Sequence, residues 1–302
     1  METQTASKTS FRENFEKFHD KHYKHLLLIP AIILLLSFGY IYIFYSANGD
    51  FISKDISLTG GTSVTVYNSV DINQLTDDLS GKLDEINTRE IYDLLTKEKI
   101  AVIIETKTSG DDTKKILEEY LGYKLTDENS SFEFSGALLS ESFYKQLIIA
   151  IFFAFIFMSV TVFIIFRKIV PSVAIIISAF ADIVMTLAVV DFLGMKISSA
   201  GIVAFLMLIG YSVDTDILLT NRVLKNHEGS LNARLYRAFK TGMTMTLTSI
   251  VVVLVSLIVS NSFSVVLSQI FAVISIGLFF DMLNTWVTNV SLLKWYARKN
   301  EN

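Results

Sequence analysis

The chain has 302 residues, of which 51% are hydrophobic, and its mean hydropathy is +0.48. This length suits one polytopic membrane domain with one small soluble insertion. The absence of cysteine excludes disulfides, thiolate zinc sites and cysteine nucleophiles. The net charge is −4, and acids outnumber bases in the one long polar region, so the chain lacks the basic face that nucleic-acid binding requires.

Residues 1–25 are polar and predict a cytoplasmic amphipathic segment. Ser10 and Glu13 have capping-box spacing. Three aromatic side chains then fall on one helical face, which favours a helix lying on the lipid surface: Phe11, Phe15 and Phe18. Three histidines recur at intervals of three, namely His19, His22 and His25. They spread around the helix at a membrane boundary, so interfacial residues are favoured over a metal site.

The apolar runs predict six transmembrane helices. The first covers residues 26–45, about the 20 residues that cross a bilayer. We expect it to remain as an anchor, because Tyr45-Ser-Ala47 is a poor signal-peptidase site. The other five spans lie within residues 147–294, with a cytoplasmic tail at 295–302: 147–166, 171–192, 200–220, 243–260 and 265–290. The last span is overlong, which indicates a tilted or kinked helix.

Residues 46–146 predict an α+β module with a ferredoxin-like order of elements. Alternating or β-branched stretches predict strands at 62–67, 88–94, 100–106 and 131–134, and helical periodicity predicts helices at 72–83 and 111–121. Thr59-Gly60-Gly61 forms the turn into the first strand, where glycines allow positive φ and close packing. A phosphate-binding loop is disfavoured, because no helix or Gly-Lys-Ser/Thr follows these glycines.

The distribution of lysine and arginine predicts the orientation. Basic residues concentrate in the N-terminal segment, in two alternate short loops and after the last span, while the loops at 193–199 and 261–264 contain only Lys196. By the positive-inside rule both termini are cytoplasmic, and residues 46–146 are extracytoplasmic.

Five acids fall inside predicted spans, and Asp191 is close enough to a span boundary to be solvated. The other four lie where charge is costly: Asp182, Asp214, Asp216 and Asp281. We expect Asp214 to be the buried, titrating group. Asp216 lies one turn before Asn221 and has a shorter route to water. Each acid is either a proton-coupling group or a structural carboxyl, neutral or paired with a cation. Arg237 is either such a charge partner or an anchoring cation.

Four stretches are similar to the SecF members of the SecD/SecF family, in the resistance-nodulation-division superfamily, and more so to archaeal members. They are Thr59-Gly-Gly-Thr62, Phe134-Ser-Gly-Ala137 with Phe143 and Gln146, Ile209-Gly-Tyr-Ser-Val-Asp-Thr-Asp216 with Asn221-Arg222, and Arg237-Ala-Phe-Lys-Thr241.

The resemblance implies a six-span, non-enzymatic subunit that pairs with SecD. The pair assists the Sec translocon, which consists of SecY and its associated subunits, and the external module contacts the unfolded preprotein. It implies proton coupling through Asp214, Asp182 and Arg237, and no cofactor. The alternative is half of a proton-driven small-molecule or lipid transporter of the same superfamily. An intramembrane enzyme is disfavoured, because no hydrolase or zinc-protease motif occurs.

Overall fold

The computed structural model describes residues 23, 25–68, 70–93, 96, 98–225, 229–261 and 264–301. The predicted amphipathic segment and His19 and His22 lie outside the described residues, while His25 lies in a helix. Six helices in the described part of the chain are long and apolar enough to cross a membrane. A small four-stranded antiparallel sheet lies between the first and second of them. The predicted fold class, a six-helix membrane protein with one α+β insertion, is therefore confirmed.

Each predicted span lies within or overlaps one long helix. They are α1 (Leu28–Asn48), α5 (Ala137–Phe166), α6 (Ile169–Phe192), α7 (Ser199–Leu224), α8 (Leu231–Ser260) and α9 (Val265–Leu283). Helix α9 continues through a π-helical turn, Asn284–Asn289, into α10 (Val290–Glu301). Helices α5 and α8 begin at Ala137 and Leu231, well before the predicted starts at 147 and 243. The apolar run marks only the part of a helix that faces lipid, so it misses polar turns that continue the same helix.

The α+β module follows the predicted order, with one extra short helix at its start. Its elements are α2 (Ile56–Thr59), β1 (Gly61–Val66), α3 (Ile72–Leu79), β2 (Asn87–Tyr92), β3 (Lys99–Thr106), α4 (Gly110–Leu121) and β4 (Ser130–Ser135). The sheet order is β2-β3-β1-β4, and β1 pairs antiparallel with both β3 and β4. This is the split βαβ arrangement of a ferredoxin-like module.

The module folds around one apolar face of the sheet. Alternation in β1 directs Val64 and Val66 to the side covered by the two helices, where they pack with Leu75 and Leu117. Side chains that precede the helices cap them: Asp71 accepts from the backbone N–H groups of Asn73 and Gln74, and Ser109 accepts from that of Asp112.

The turn at Gly60 and Gly61 fits the module against α5. Both glycines have positive φ, +83° and +147°. A Cβ on Gly60 would lie 2.6 Å from the backbone nitrogen of Ala137, the first residue of α5. A glycine is therefore required at position 60, both for its backbone conformation and for the close approach of another backbone.

A second connection joins the module to the helix bundle. The segment after α1 pairs with the loop between α6 and α7: the N–H of Asp55 donates to the carbonyl of Ile197 at 3.1 Å, and the N–H of Ile197 donates to Ser53 at 2.6 Å. Asp50 accepts from the Tyr144 hydroxyl of α5 at 2.9 Å and forms an ion pair with Lys54 at 2.8 Å. Burial opposes the charge of Asp50, but the contacts with Lys54 and Tyr144 outweigh it and hold its pKa below the ordinary value.

Helices α6 and α7 form the centre of the bundle. Of the most apolar stretch of α6, 61% is buried inside the protein, against 6% for α5 and 11% for α1. Helix α9 packs on α6, α7 and α8. Small residues allow these close contacts: a Cβ on Gly242 of α8 would lie 2.9 Å from Cη2 of Trp286 in the π turn.

Candidate functional site

Three acids from three different helices are completely enclosed at the centre of the bundle. Asp182 of α6 and Asp216 of α7 have no exposed surface, and Asp281 of α9 is 1% exposed. An acidic side chain inside a membrane protein is energetically expensive and is kept where it pairs with other groups or performs a function. These three carboxyls, with the polar side chains that contact them, form the candidate site, which we call the carboxylate cluster.

Asp182 receives a hydrogen bond on each of its oxygens. The Ser212 hydroxyl of α7 donates to Oδ2 at 2.6 Å, and the Asn284 side-chain amide donates to Oδ1 at 2.7 Å. Thr288 donates to the Asn284 carbonyl oxygen at 3.2 Å, which orients the NH2 group of Asn284 towards Asp182. Asp182 is therefore held in one rotamer by two helices besides its own.

Asp216 and Asp281 share a neighbour in the π turn. The Thr285 hydroxyl lies 2.8 Å from Oδ1 of Asp216 and 3.2 Å from Oδ1 of Asp281. The Asn289 amide also donates to Oδ1 of Asp216 at 2.8 Å. Within the described part of the chain, all the side-chain hydrogen bonds that these carboxyls receive come from neutral groups.

The π turn is the element that assembles the cluster. Four of its six residues are polar and buried: Asn284, Thr285, Thr288 and Asn289. A π turn accommodates one extra residue in a helix and often occurs at functional sites. Here the wider turn directs Asn284 to Asp182 and both Thr285 and Asn289 to Asp216. None of these donors is among the residues predicted from the sequence, although four polar residues within an overlong apolar span are a detectable signal.

The structure reverses the expected roles of the two acids on α7. Asp214 was expected to be the buried group and Asp216 to reach water, but Asp214 is exposed and Asp216 is enclosed. Residues two apart on an α-helix point about 200° apart, so only one of this pair can face the bundle. The face that turns inwards also carries Ser212, which contacts Asp182.

Arg237 does not lie among the buried acids. Its side chain is exposed on α8, near Gly229, and its carbonyl accepts from Arg222 at 3.3 Å. The structure thus brings Asp182, Asp216 and Asp281 together and leaves Asp214 and Arg237 on the surface of the bundle.

Carboxyl groups such as those of the carboxylate cluster can bind and release protons. Among the described residues, no group of three or more histidine, cysteine, aspartate or glutamate side chains is arranged to hold a metal ion. Closely spaced carboxyls in a low-dielectric interior cannot all be ionised, so such a group holds protons. The hydroxyl groups around them can both accept and donate a hydrogen bond, which a proton relay requires, whereas the amide NH2 groups can only donate.

A separate cleft of about 420 Å³ lies between the module and the bundle. It is lined by β2 and by the adjoining ends of α8 and α9, with both polar and apolar side chains: Asn87, Arg89, Ile91, Leu257, Asn261 and Val265. Strand β2 is an edge strand of the sheet. Such an edge can add an extended chain through its backbone groups.

The chain is similar to known proteins over nearly all of its length. Residues 115–299 match the family described as protein export membrane protein SecD/SecF, C-terminal. A "Protein-export membrane protein SecF" of Methanocaldococcus jannaschii is 39% identical, over 91% of this chain and 96% of that protein. One of Methanothermobacter thermautotrophicus is 40% identical, over 91% of this chain and 93% of that protein.

The fold is also similar to a solved structure. The crystal structure of SecDF, a translocon-associated membrane protein from Thermus thermophilus, aligns with 91% of this chain at a TM-score of 0.73 and 18% identity. The alignment covers 38% of the SecDF chain, so this protein corresponds in length to little more than a third of it. The family match and the full-length relatives together lead to one conclusion: the chain belongs to the SecD/SecF family of protein-export membrane proteins.

Proposed function

We propose that this chain is a SecF-type subunit that pairs with SecD in the cytoplasmic membrane, assists the Sec translocon in moving unfolded preproteins, and uses the proton gradient to do so. The observation that carries the coupling proposal is the enclosed carboxylate cluster of Asp182, Asp216 and Asp281. The names of the archaeal relatives support the export role.

The proposed orientation puts both termini in the cytoplasm and the α+β module outside. It rests on basic residues beside the intracellular ends of the spans, such as Arg167, Lys168 and Arg222. In this orientation the cleft beside β2 opens at the outer surface of the membrane, where an exported chain emerges. We assign the preprotein contact to this cleft.

The connection between the cluster and the module supports mechanical coupling. Helix α6 carries Asp182, ends at Phe192, and leads directly into the loop whose Ile197 pairs with Ser53 and Asp55 next to the module. One proton that crosses 100 mV releases about 2.3 kcal/mol, enough to shift a two-state equilibrium by one to two orders of magnitude. A change of protonation at Asp182 would thus reach the module through a single helix and its loop.

The exposed face of α7 is the proposed binding surface for a partner protein in the membrane. Asp214 lies on this face together with a stripe of exposed residues, Val203, Met207 and Tyr211, and with Gly210. A carboxylate that faced lipid near the bilayer centre would cost about 2.5–3.5 kcal/mol on insertion scales, so a partner with polar groups is expected there. We assign this face to SecD.

We expect Gly210→Trp to prevent pairing with SecD without disturbing the chain itself. Nothing lies within 4 Å of the position of a Cβ on Gly210, so the bundle can accept the side chain, whereas a close helix–helix interface cannot. Co-purification with SecD should fall about tenfold or more, equivalent to about 1.4 kcal/mol. Gly39→Trp on the exposed face of α1, which has equally free space, is the matched control. Equal recovery of SecD with both variants would place the interface elsewhere.

The function is tested by protein export in inverted membrane vesicles. Vesicles with SecD alone are compared with vesicles that contain SecD and this chain, with and without an imposed proton gradient. We expect export to respond to the gradient only when both proteins are present. An unchanged export rate on addition of the chain would contradict the export role. Gradient-driven movement of a small molecule or lipid instead would support the transporter alternative.

A further inference from the structure

The Thr285 hydroxyl occupies a position that determines where a proton is held. It lies within hydrogen-bond distance of two carboxyl oxygens, Oδ1 of Asp216 at 2.8 Å and Oδ1 of Asp281 at 3.2 Å. A hydroxyl has one hydrogen and can donate to only one of them. The other carboxyl oxygen then faces a lone pair of Thr285, and this contact is attractive only if that carboxyl carries a proton and donates it.

The neighbouring amide decides which carboxyl donates. Asn289 directs its NH2 group at Oδ1 of Asp216 at 2.8 Å, and an NH2 group can only donate. Oδ1 of Asp216 is therefore an acceptor. Its contact with Thr285 is the shorter of the two that Thr285 makes, so Oδ1 of Asp216 accepts a second hydrogen bond from the Thr285 hydroxyl. Among the described residues, no amide or other side chain hydrogen-bonds to Oδ1 of Asp281 besides Thr285, so Asp281 is the carboxyl that donates to Thr285.

The remaining carboxyl oxygens agree with one proton on this pair. Oδ2 of Asp216 and Oδ2 of Asp281 are both buried and have no hydrogen-bond partner within the described part of the chain. Two ionised carboxylates that are bridged by one hydroxyl would repel each other in a low-dielectric interior, and neither buried Oδ2 atom has a donor among the described residues to stabilise a negative charge. One shared proton removes one of the two charges.

The other charged groups on the surrounding helices either contact other groups or lie at the surface. Asp182 of α6 accepts from Ser212 and Asn284. Arg234 of α8 donates to the carbonyl of Val223 at 2.7 Å, and Arg237 and Lys240 of α8 are exposed. Lys294 of α10 places its Nζ 5.8 Å from the ring of Tyr23. Asp214 of α7 is on the outer face, and α1 contains no charged residue.

We propose that Asp281 and Asp216 share one proton through the Thr285 hydroxyl, with the proton resting on Asp281 and Thr285 donating to Asp216. Transfer moves one hydrogen at each end: Asp281 gives its proton to Oγ1 of Thr285 while Thr285 gives its own hydrogen to Asp216. Asp281 becomes the carboxylate, Asp216 becomes the acid, and the hydroxyl reverses its direction. The step carries one positive charge from α9 to α7 and needs no other reactant.

The shared proton follows from the geometry alone. A role for this transfer in export rests on the proposed function, because the transfer would be one step of the proton coupling proposed above. Infrared spectroscopy of the chain reconstituted with SecD tests the shared proton, through the carbonyl stretch of protonated carboxyl groups at neutral pH. We expect Asp281→Asn to remove one such band from the spectrum. Asp214→Asn is the control, because it removes a carboxyl group from the outer face of the bundle. The band that disappears in Asp281→Asn should remain in Asp214→Asn.

Two substitutions at position 285 test the bridge. Thr285→Val keeps the shape of the side chain but removes the hydroxyl, and should shift the band that belongs to Asp281. Thr285→Ser keeps the hydroxyl and should leave the band in place. A spectrum unchanged by Asp281→Asn, or a band position unchanged by Thr285→Val, would overturn the proposal.

Export assays with the same variants separate this inference from the proposed function. Gradient-dependent export should be lost with Thr285→Val and retained with Thr285→Ser. If the infrared results are as expected but Thr285→Val keeps its full gradient response, the shared proton stands and the coupling proposal fails.

Discussion

Vesicles that carry Asp182→Asn are expected to export protein at the same rate with and without a proton gradient. The substitution removes the titrating group but preserves the packing. An asparagine carbonyl can still accept from Asn284, and its NH2 group can donate to Ser212, whose hydroxyl can reverse and act as an acceptor. The variant should therefore assemble with SecD normally and lose the part of export, up to about two orders of magnitude, that the gradient contributes.

The matched control is Asp191→Asn on the same helix. Asp191 is also buried, but it lies at the C-terminal end of α6, where it accepts from the N–H of Ser53 at 3.4 Å. This variant should keep its gradient response. A full response with Asp182→Asn would show that Asp182 is structural. If Asp214→Asn then abolished the response, the coupling group would lie on the proposed SecD face rather than in the enclosed cluster.

Gly60→Ala is expected to separate the α+β module from α5. The backbone at Gly60 has φ of +83°, and an added Cβ would lie 2.6 Å from the nitrogen of Ala137 and 2.9 Å from its Cβ. The neighbouring atoms are mostly backbone and cannot move aside as a flexible side chain would. The combined strain should exceed about 2 kcal/mol. We expect a lower unfolding temperature and faster hydrogen exchange at the start of α5.

Gly49→Ala isolates the backbone contribution to this effect. Gly49 ends α1 with φ of +74°, but nothing lies within 4 Å of the position of its Cβ. This control should cost only about 1 kcal/mol, the penalty of the left-handed conformation alone. Equal effects of the two substitutions would mean that the close approach of Gly60 to Ala137 does not hold the module in place.

The local elements were largely predictable, because their signals are contained in short stretches of sequence. Alternation over residues 62–67 predicted β1, observed at Gly61–Val66, and the helix predicted at 111–121 is observed at Gly110–Leu121. The six apolar runs each correspond to a long helix. Burial of one face of a strand or helix imposes a periodic spacing of apolar residues, and crossing a lipid bilayer imposes a minimum length on an apolar helix.

The composition of the site was only partly predictable, because it depends on contacts between distant residues. Four acids were identified from the free-energy cost of placing a charge inside a membrane, but the rotation of the helices decides which of these acids face each other. Asp214 and Asp216 differ by two positions, and a sequence without partners does not show which one points inwards. The π turn was also missed: its four polar residues mark a polar site within the span, but only the packing of the helices shows that the backbone widens there.

By itself the sequence determined the class of molecule: six helices long and apolar enough to cross a membrane, one α+β module between the first two, and acidic residues within the apolar helices. Hydrophobic length and period set these features, and both are properties of single segments. The tertiary structure decided which acids meet, that Asn284, Thr285 and Asn289 serve them, and that Asp214 faces outwards. Those outcomes depend on the rotation and register of α6, α7 and α9, which pack against one another and are therefore not properties of any single segment.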